Sequence, residues 1–258
     1  MGNQQDFSEA KNITQRLGYD NQPAFSQDSH YLFFTSIARD SQADIACLQL
    51  DNMELGQITK TGESEYSPTP INAAGSFTVV RVEKDSTQRI WLFSRPGKKP
   101  KVLFKKIKKI GYHAWTAKDE AAFFILGEPH YLLYAGPGKK TVKVDTAIGR
   151  CLQKMPDEKA VTYVSKADSN VWMLRKYSPE TNQISDLVKM PAGVEDYAWT
   201  PWKTIWAFDK GSLLEWKTGN TWTEIANFSQ NAPGVFYRLA VSPDGKWLSM
   251  VSIEGKLP

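Results

Sequence analysis

Leu239-Ala240-Val241-Ser242-Pro243-Asp244-Gly245-Lys246-Trp247-Leu248-Ser249-Met250-Val251-Ser252 reads as a strand, a tight turn and a second strand. Its centre is turn chemistry: proline presets φ, aspartate bonds the backbone two residues on, and glycine accepts a positive φ. The same grammar occurs far upstream in Asn21-Gln22-Pro23-Ala24-Phe25-Ser26-Gln27-Asp28-Ser29-His30-Tyr31-Leu32-Phe33-Phe34-Thr35-Ser36. Weaker copies are Ser67-Pro68-Thr69-Pro70 with Phe77-Thr78-Val79-Val80, and His113-Ala114-Trp115-Thr116 with Ala121-Ala122-Phe123-Phe124. Arg150-Cys151-Leu152 with Ala160-Val161-Thr162-Tyr163-Val164 is the most degenerate, and Tyr197-Ala198-Trp199-Thr200-Pro201-Trp202 with Ile205-Trp206-Ala207-Phe208 completes the set. Anchored on Phe25, Pro70, Trp115, Leu152, Trp199 and Val241, the copies lie about 45, 45, 37, 47 and 42 residues apart.

A period of roughly 40–50 residues is that of a propeller blade. Six blades of about 43 residues account for the 258-residue chain. Further strands fall where a blade needs them: Ala43–Asp51, Gln88–Phe93 and Asn170–Leu174 as third strands, and Gly56–Thr59 as an outer fourth. No 3.6-residue apolar stripe persists for three turns, which argues against an α/β fold. The expectation is an all-β, six-bladed propeller of four-stranded blades forming one domain over 1–258. Approximate blades are 17–60, 61–105, 106–145, 146–189, 190–228, and 229–258 plus 1–16. The sixth repeat has only two strands before the chain stops, and Asn12-Ile13-Thr14 resembles the outer strand Gln57-Ile58-Thr59 moved to the front. An N-terminal strand completing the last blade is expected to hide the open edges and lock the ring.

Ser242-Pro243-Asp244-Gly245-Lys246, Ser26-Gln27-Asp28, Ala43-Asp44-Ile45 and Gln57-Ile58-Thr59 resemble the Pro-Asp, WD-like repeat of TolB-like six-bladed propellers. The resemblance extends over nearly the whole chain. It departs where Ala73-Ala74-Gly75, Ala117-Lys118-Asp119 and Pro201-Trp202-Lys203 replace the Pro-Asp-Gly turn. It implies a propeller that binds protein or peptide in the cell envelope, periplasmic or secreted. The opening residues Met1-Gly2-Asn3-Gln4-Gln5-Asp6 carry no basic and apolar leader, so the expected setting requires a signal peptide absent from this sequence.

Composition fits that reading. Apolar residues are 41% and charged residues 23%, which excludes disorder. The longest apolar run, Ala121–Leu126, is far short of the roughly 20 residues of a spanning helix. Two cysteines, Cys47 and Cys151, fall about three blades apart, so a disulfide is not expected. The net charge of +4 is local: seven lysines between Lys98 and Lys109 outweigh it, leaving no overall nucleic-acid footprint. That lysine-rich 98–109 segment flanks Val102-Leu103-Phe104, where lysines on an outer strand discourage edge-to-edge pairing.

In a propeller the loops entering the first strands converge on the central channel. Those entries hold Glu65, Tyr66, Tyr112, His113, Arg150, Glu195, Asp196, Tyr237 and Arg238, a polar and aromatic collar suited to ligand recognition. The tyrosines would stack on a ligand and the charged groups hydrogen-bond to it. The bland alternative is that these residues simply line a wet opening. Trp115 and Trp199 sit at anchor positions and read as inter-blade packing, whereas Trp202 is the candidate exposed aromatic.

The expected function is a non-catalytic interaction module, a monomer, that takes a protein, a peptide or a small polar ligand at the channel mouth. No cofactor, nucleic acid or membrane-spanning segment is expected. No Gly-x-Ser-x-Gly elbow or His-Glu-x-x-His helix is present. The alternative is a metal-assisted lyase or hydrolase using His113, Glu128 and His130, since two imidazoles and a carboxylate can hold zinc or serve as acid and base. A third reading is a scaffold binding through the lysine-rich rim.

Overall fold

A computed structural model describes residues 7–37, 42–72, 75–94, 99–136, 140–229 and 234–253. These residues form sheets in which each strand is antiparallel to the one before it. The first sheet contains β1 (Tyr19–Phe25), β2 (Tyr31–Ile37), β3 (Ala43–Gln49) and β4 (Glu54–Gln57). The second contains β5 (Ser64–Pro70), β6 (Phe77–Val82), β7 (Gln88–Phe93) and β8 (Lys101–Leu103). The third contains β9 (Ile110–Ala117), β10 (Glu120–Ile125), β11 (Tyr131–Ala135) and β12 (Val142–Thr146). The fourth contains β13 (Ile148–Lys154), β14 (Val161–Ser165), β15 (Met173–Ser178) and β16 (Gln183–Lys189). The fifth contains β17 (Tyr197–Trp199), β18 (Ile205–Asp209), β19 (Ser212–Trp216) and β20 (Thr223–Asn227). The last sheet pairs β21 (Val235–Val241) with β22 (Leu248–Ile253). The architecture is an all-β propeller. Five blades are complete where six were expected, because the sixth repeat supplies two strands among the described residues.

Second strands are apolar on both faces because each is sandwiched between neighbouring sheets. Every residue of Val161–Ser165 is buried, as are all but the first of β10, whereas the outer strand β4 is exposed throughout. The core is therefore a series of inter-blade layers. Phe33, Ile45, Phe77 and Val79 join the first two blades, and Val80, Ile110, Ala121 and Phe123 join the second and third. Trp115 and Trp199 bridge such layers: their indole N–H groups donate to Thr78 and Thr162 of the preceding blade, over 2.9 and 3.0 Å.

The turn that defines the repeat is built twice with the same bonds. Ser242 Oγ donates to Asp244 Oδ1 (2.6 Å), which also accepts from Lys246 N (3.1 Å), while Trp247 N donates to Ser242 Oγ (2.9 Å). In the first blade Ser26, Asp28, His30 and Tyr31 repeat this at 2.5, 3.2 and 3.0 Å. Ser29 has φ of 60° where Gly245 has 73°. One short polar cassette thus reverses the chain between first and second strands.

The N-terminal strand expected to close the ring is not formed at Asn12–Thr14. Asn12 Oδ1 accepts from the backbone N–H groups of Thr14 (3.1 Å) and Gln15 (3.0 Å), a local turn that withdraws those donors from any sheet ladder. Closure instead comes from β1 packing directly against β21 and β22. Asp244 N donates to Ser29 Oγ across that seam (3.1 Å). The preceding segment still contributes side chains: the Phe7 ring lies 5.7 Å from Trp206 and 5.6 Å from Phe228, and Ile13 packs on the Leu32–Phe34–Leu48 face of the first blade.

No α-helix occurs among the described residues, and so none is long and apolar enough to cross a membrane. Cys47 and Cys151 are free thiols. Lys101 lies exposed on β8, the outermost strand of its blade, and Lys105, Lys106, Lys108 and Lys109 are exposed beyond it; Lys98 lies outside the described residues.

Candidate functional site

The inner strands converge on the propeller axis, and their regular pairing breaks at that end. The register shifts between Asn21 and Ala24 on β1, Tyr66 and Thr69 on β5, Ile148 and Leu152 on β13, and Phe236 and Arg238 on β21. Such bulges re-aim side chains that strict alternation would send to opposite faces. Gln22 and Ser67, at two of these breaks, have positive φ of 59° and 53°.

Arg238 is the centre of the resulting network. Its Nε donates to Asp196 Oδ1 (3.0 Å) and its Nη1 to Asn21 Oδ1 (2.9 Å). Its guanidinium carbon lies 5.5 Å from the centre of the Tyr112 ring and 5.8 Å from that of Tyr237. Asn21 Nδ2 donates to the Tyr237 hydroxyl, and Gln22 Nε2 approaches that of Tyr112 at 3.4 Å. Arg150 Nε is 2.8 Å from Glu195 Oε1 and 3.7 Å from Asp196 Oδ2, and Lys166 Nζ is 2.5 Å from Glu195 Oε2.

The electrostatics follow from burial. Desolvation opposes the charge on Arg238, but the Asp196 carboxylate and the Tyr112 hydroxyl more than offset it and hold the guanidinium charged. Burial pushes the Asp196 carboxyl above its ordinary range, with Arg238 and Arg150 limiting the rise. Burial also opposes ionisation of Glu195, yet Lys166 and Arg150 keep its carboxyl below the usual range. Tyr19 is pushed up to about 12 by burial and by its neighbours Tyr112, Tyr237 and Tyr66, with Arg238 acting against them. Two phenol rings, Tyr112 and Tyr237, therefore flank one buried cation, and the Arg150 side chain is 42% exposed.

Of the residues expected at the mouth, Tyr112, Arg150, Glu195, Asp196, Tyr237 and Arg238 are brought to this network, and Tyr66 packs on the layer between the second and third blades. Glu65 and His113 lie elsewhere. Each is adjacent on its strand to a mouth tyrosine, and neighbouring residues on a strand face opposite sides. Glu65 is fully buried between the first two blades, with Oε1 accepting from Thr61 Oγ1 (2.5 Å) and facing Arg81 Nε at 3.1 Å. Desolvation pushes its carboxyl up to about 7. His113 is buried against the second blade with Nε2 2.7 Å from Thr78 Oγ1, and desolvation lowers it to about 3.

Glu128 and His130 face a separate rim cleft of about 520 Å³ between the second and third blades, together with Asp85, Lys108 and Lys109. The trio His113, Glu128 and His130 is not assembled. Among the described residues no three His, Cys, Asp or Glu side chains are grouped to hold a metal. Tyr19 and Lys166 join the network without having been singled out from the sequence. Tyr19 directly precedes Asp20-Asn21-Gln22, the entry to the first repeat, whereas nothing in the sequence around Lys166 marks it.

Compared by sequence, the chain matches no protein-family model and no curated protein. Compared by structure, it is similar to a protein of Agrobacterium tumefaciens assigned as TolB, with TM-score 0.69, 11% identity and 93% of each chain covered. It is also similar to a gluconolactonase of Xanthomonas campestris (TM-score 0.70, 9% identity, 93% of this chain and 85% of that one). An oligogalacturonate lyase solved with manganese gives TM-score 0.62 at 16% identity, covering 93% of this chain and 75% of that one. These likenesses establish a TolB-like propeller fold. They overturn the expectation that the chain is non-catalytic, because enzymes and TolB proteins share this architecture and the fold does not separate the two.

Proposed function

We propose that this protein is a recognition propeller that binds a protein segment, a peptide or a small polar ligand at the channel mouth. The mouth comprises Tyr66, Tyr112, Arg150, Asp196, Tyr237 and Arg238, with Tyr19 beside them. The observation that carries this reading is the packing of Tyr112 and Tyr237 against buried Arg238. A cluster of rings over a fixed cation offers flat stacking surface with little side-chain entropy left to lose.

The resemblance of the Pro-Asp repeats to those of TolB-like proteins supports a periplasmic or secreted setting. Apolar inter-blade faces buried within a single chain support a monomer. The test is a saturation-transfer NMR screen of peptides and small polar molecules. Hits should be lost in Tyr66→Ala/Tyr112→Ala and kept in the rim variant Lys101→Ala. Hits that bind the double variant unchanged would remove the mouth from consideration.

A further inference from the structure

We infer that the ligand of this mouth presents a carboxylate, an inference that rests on the channel-mouth reading above. It follows from the direction of the hydrogen bonds. Gln22 Oε1 accepts from Thr35 Oγ1 (2.6 Å) and Ser67 N (2.9 Å), so its amide NH2 is the end that faces the Tyr112 hydroxyl. Asn21 Oδ1 accepts from Arg238 Nη1 (2.9 Å) and Gln22 N (2.7 Å), so its NH2 faces the Tyr237 hydroxyl. Both amide orientations are fixed by their other partners.

The phenolic oxygens of Tyr112 and Tyr237 are therefore acceptors toward the protein. Tyr112 accepts from Gln22, and Tyr237 accepts from Asn21. A phenol has one proton, and among the described residues neither proton has an acceptor. Tyr19 and Tyr66 likewise have no hydrogen-bond partner among the described residues. The mouth is thus a set of O–H donors underlain by a cation.

The charge balance agrees. Around the axis three cations, Arg150, Lys166 and Arg238, face two carboxylates, Glu195 and Asp196, leaving one positive charge in excess. Both carboxylates already have cationic partners. An ammonium ligand would add to the excess positive charge, and a neutral hydroxyl would leave it unmatched. A carboxylate supplies one negative charge and two acceptor oxygens for neighbouring phenol protons, the charge-assisted bond type that exceeds its neutral counterpart.

Two sources of this group, a peptide terminus and a uronic acid, are separated by paired probes in isothermal titration and saturation-transfer NMR at pH 7. N-acetylglycine is compared with N-acetylglycinamide, and glucuronate with glucose. The carboxylate of at least one pair should bind about tenfold more tightly than its neutral partner. Tyr112→Phe/Tyr237→Phe should bring that ratio close to one, and Arg150→Met, after which Glu195 keeps Lys166 and Asp196 keeps Arg238, should reduce it. Equal binding of charged and neutral partners, lost together in Tyr66→Ala/Tyr112→Ala, would overturn the carboxylate and keep the mouth. A carboxylate preference untouched by all three variants would place binding elsewhere and overturn the mouth reading. No binding of either carboxylate at tens of millimolar would overturn this inference while the wider screen still decides the mouth.

Discussion

Arg238 Nε lies 3.0 Å from Asp196 Oδ1, a buried ion pair joining the last sheet to the fifth blade across 42 positions of sequence. Through Nη1 the same guanidinium reaches Asn21 of the first blade. One side chain therefore fastens the seam where the ring closes and also underlies the tyrosines of the mouth.

Removing Asp196 should expose how much the closure depends on this pair. Asp196→Ala leaves a buried guanidinium with its main partner gone, and the expected loss is about 3–5 kcal/mol. Arg238→Met/Asp196→Leu should recover most of that loss, because neither variant residue strands a charge. Urea unfolding of the single and double variants measures both. A single-variant loss under about 1 kcal/mol would contradict the role assigned to the pair.

Glu65 predicts a pH dependence of stability. Desolvation raises its carboxyl from an ordinary 4.5 to about 7, so the folded state holds a proton that the unfolded state has already released. The stabilisation is complete below about 4.5 and is lost as pH rises through about 7. It amounts to about 3 kcal/mol at most. Glu65→Gln should therefore be more stable relative to the parent at pH 8 than at pH 5. Parallel stability profiles for the two proteins would exclude the effect.

His113 should stay neutral across the range in which exposed imidazoles titrate. Burial lowers it to about 3, and its Nε2 is engaged by Thr78. Its ring resonances, assigned by comparison with His113→Gln, should not move between pH 8 and pH 4. Zinc should leave them in place as well. A titration near neutrality would show that the ring reaches solvent.

Gly245→Ala tests the repeat turn. The position has φ of 73°, and an added Cβ would stand 2.4 Å from Cζ3 of Trp202. Backbone strain of about 1–2 kcal/mol adds to the displacement of the indole. The expected readouts are a lowered unfolding midpoint and a shift in tryptophan emission. Unchanged values for both would show that the turn relaxes freely.

The repeats were legible because their chemistry is local. Ser242, Asp244 and Gly245 make a turn whose bonds span five residues, and second strands such as Glu120–Ile125 are apolar on both faces beyond their first residue. The missing closure strand was not legible for a related reason. Asn12-Ile13-Thr14 has the composition of an outer strand, but Asn12 bonds its own backbone before any sheet can compete. Sequence spacing located the mouth without deciding which residues face it. Glu65 and Tyr66 are neighbours, yet strand alternation buries one between the first two blades and packs the other on the layer between the second and third. His113 was separated from Tyr112 in the same way, and with it went the metal alternative.

From sequence alone came the period, the all-β class and the end of the propeller at which polar and aromatic side chains collect, because turn chemistry and hydrophobic alternation act over a few residues. The tertiary structure decided that five blades are complete among the described residues, that the ring closes through Arg238, Asp196 and Asn21, and that the phenol protons of Tyr112 and Tyr237 have no acceptor within the described protein. Those properties depend on groups up to 217 positions apart meeting at one axis. Bulges in the inner strands, whose positions follow from packing between sheets, set the direction in which each of those groups points.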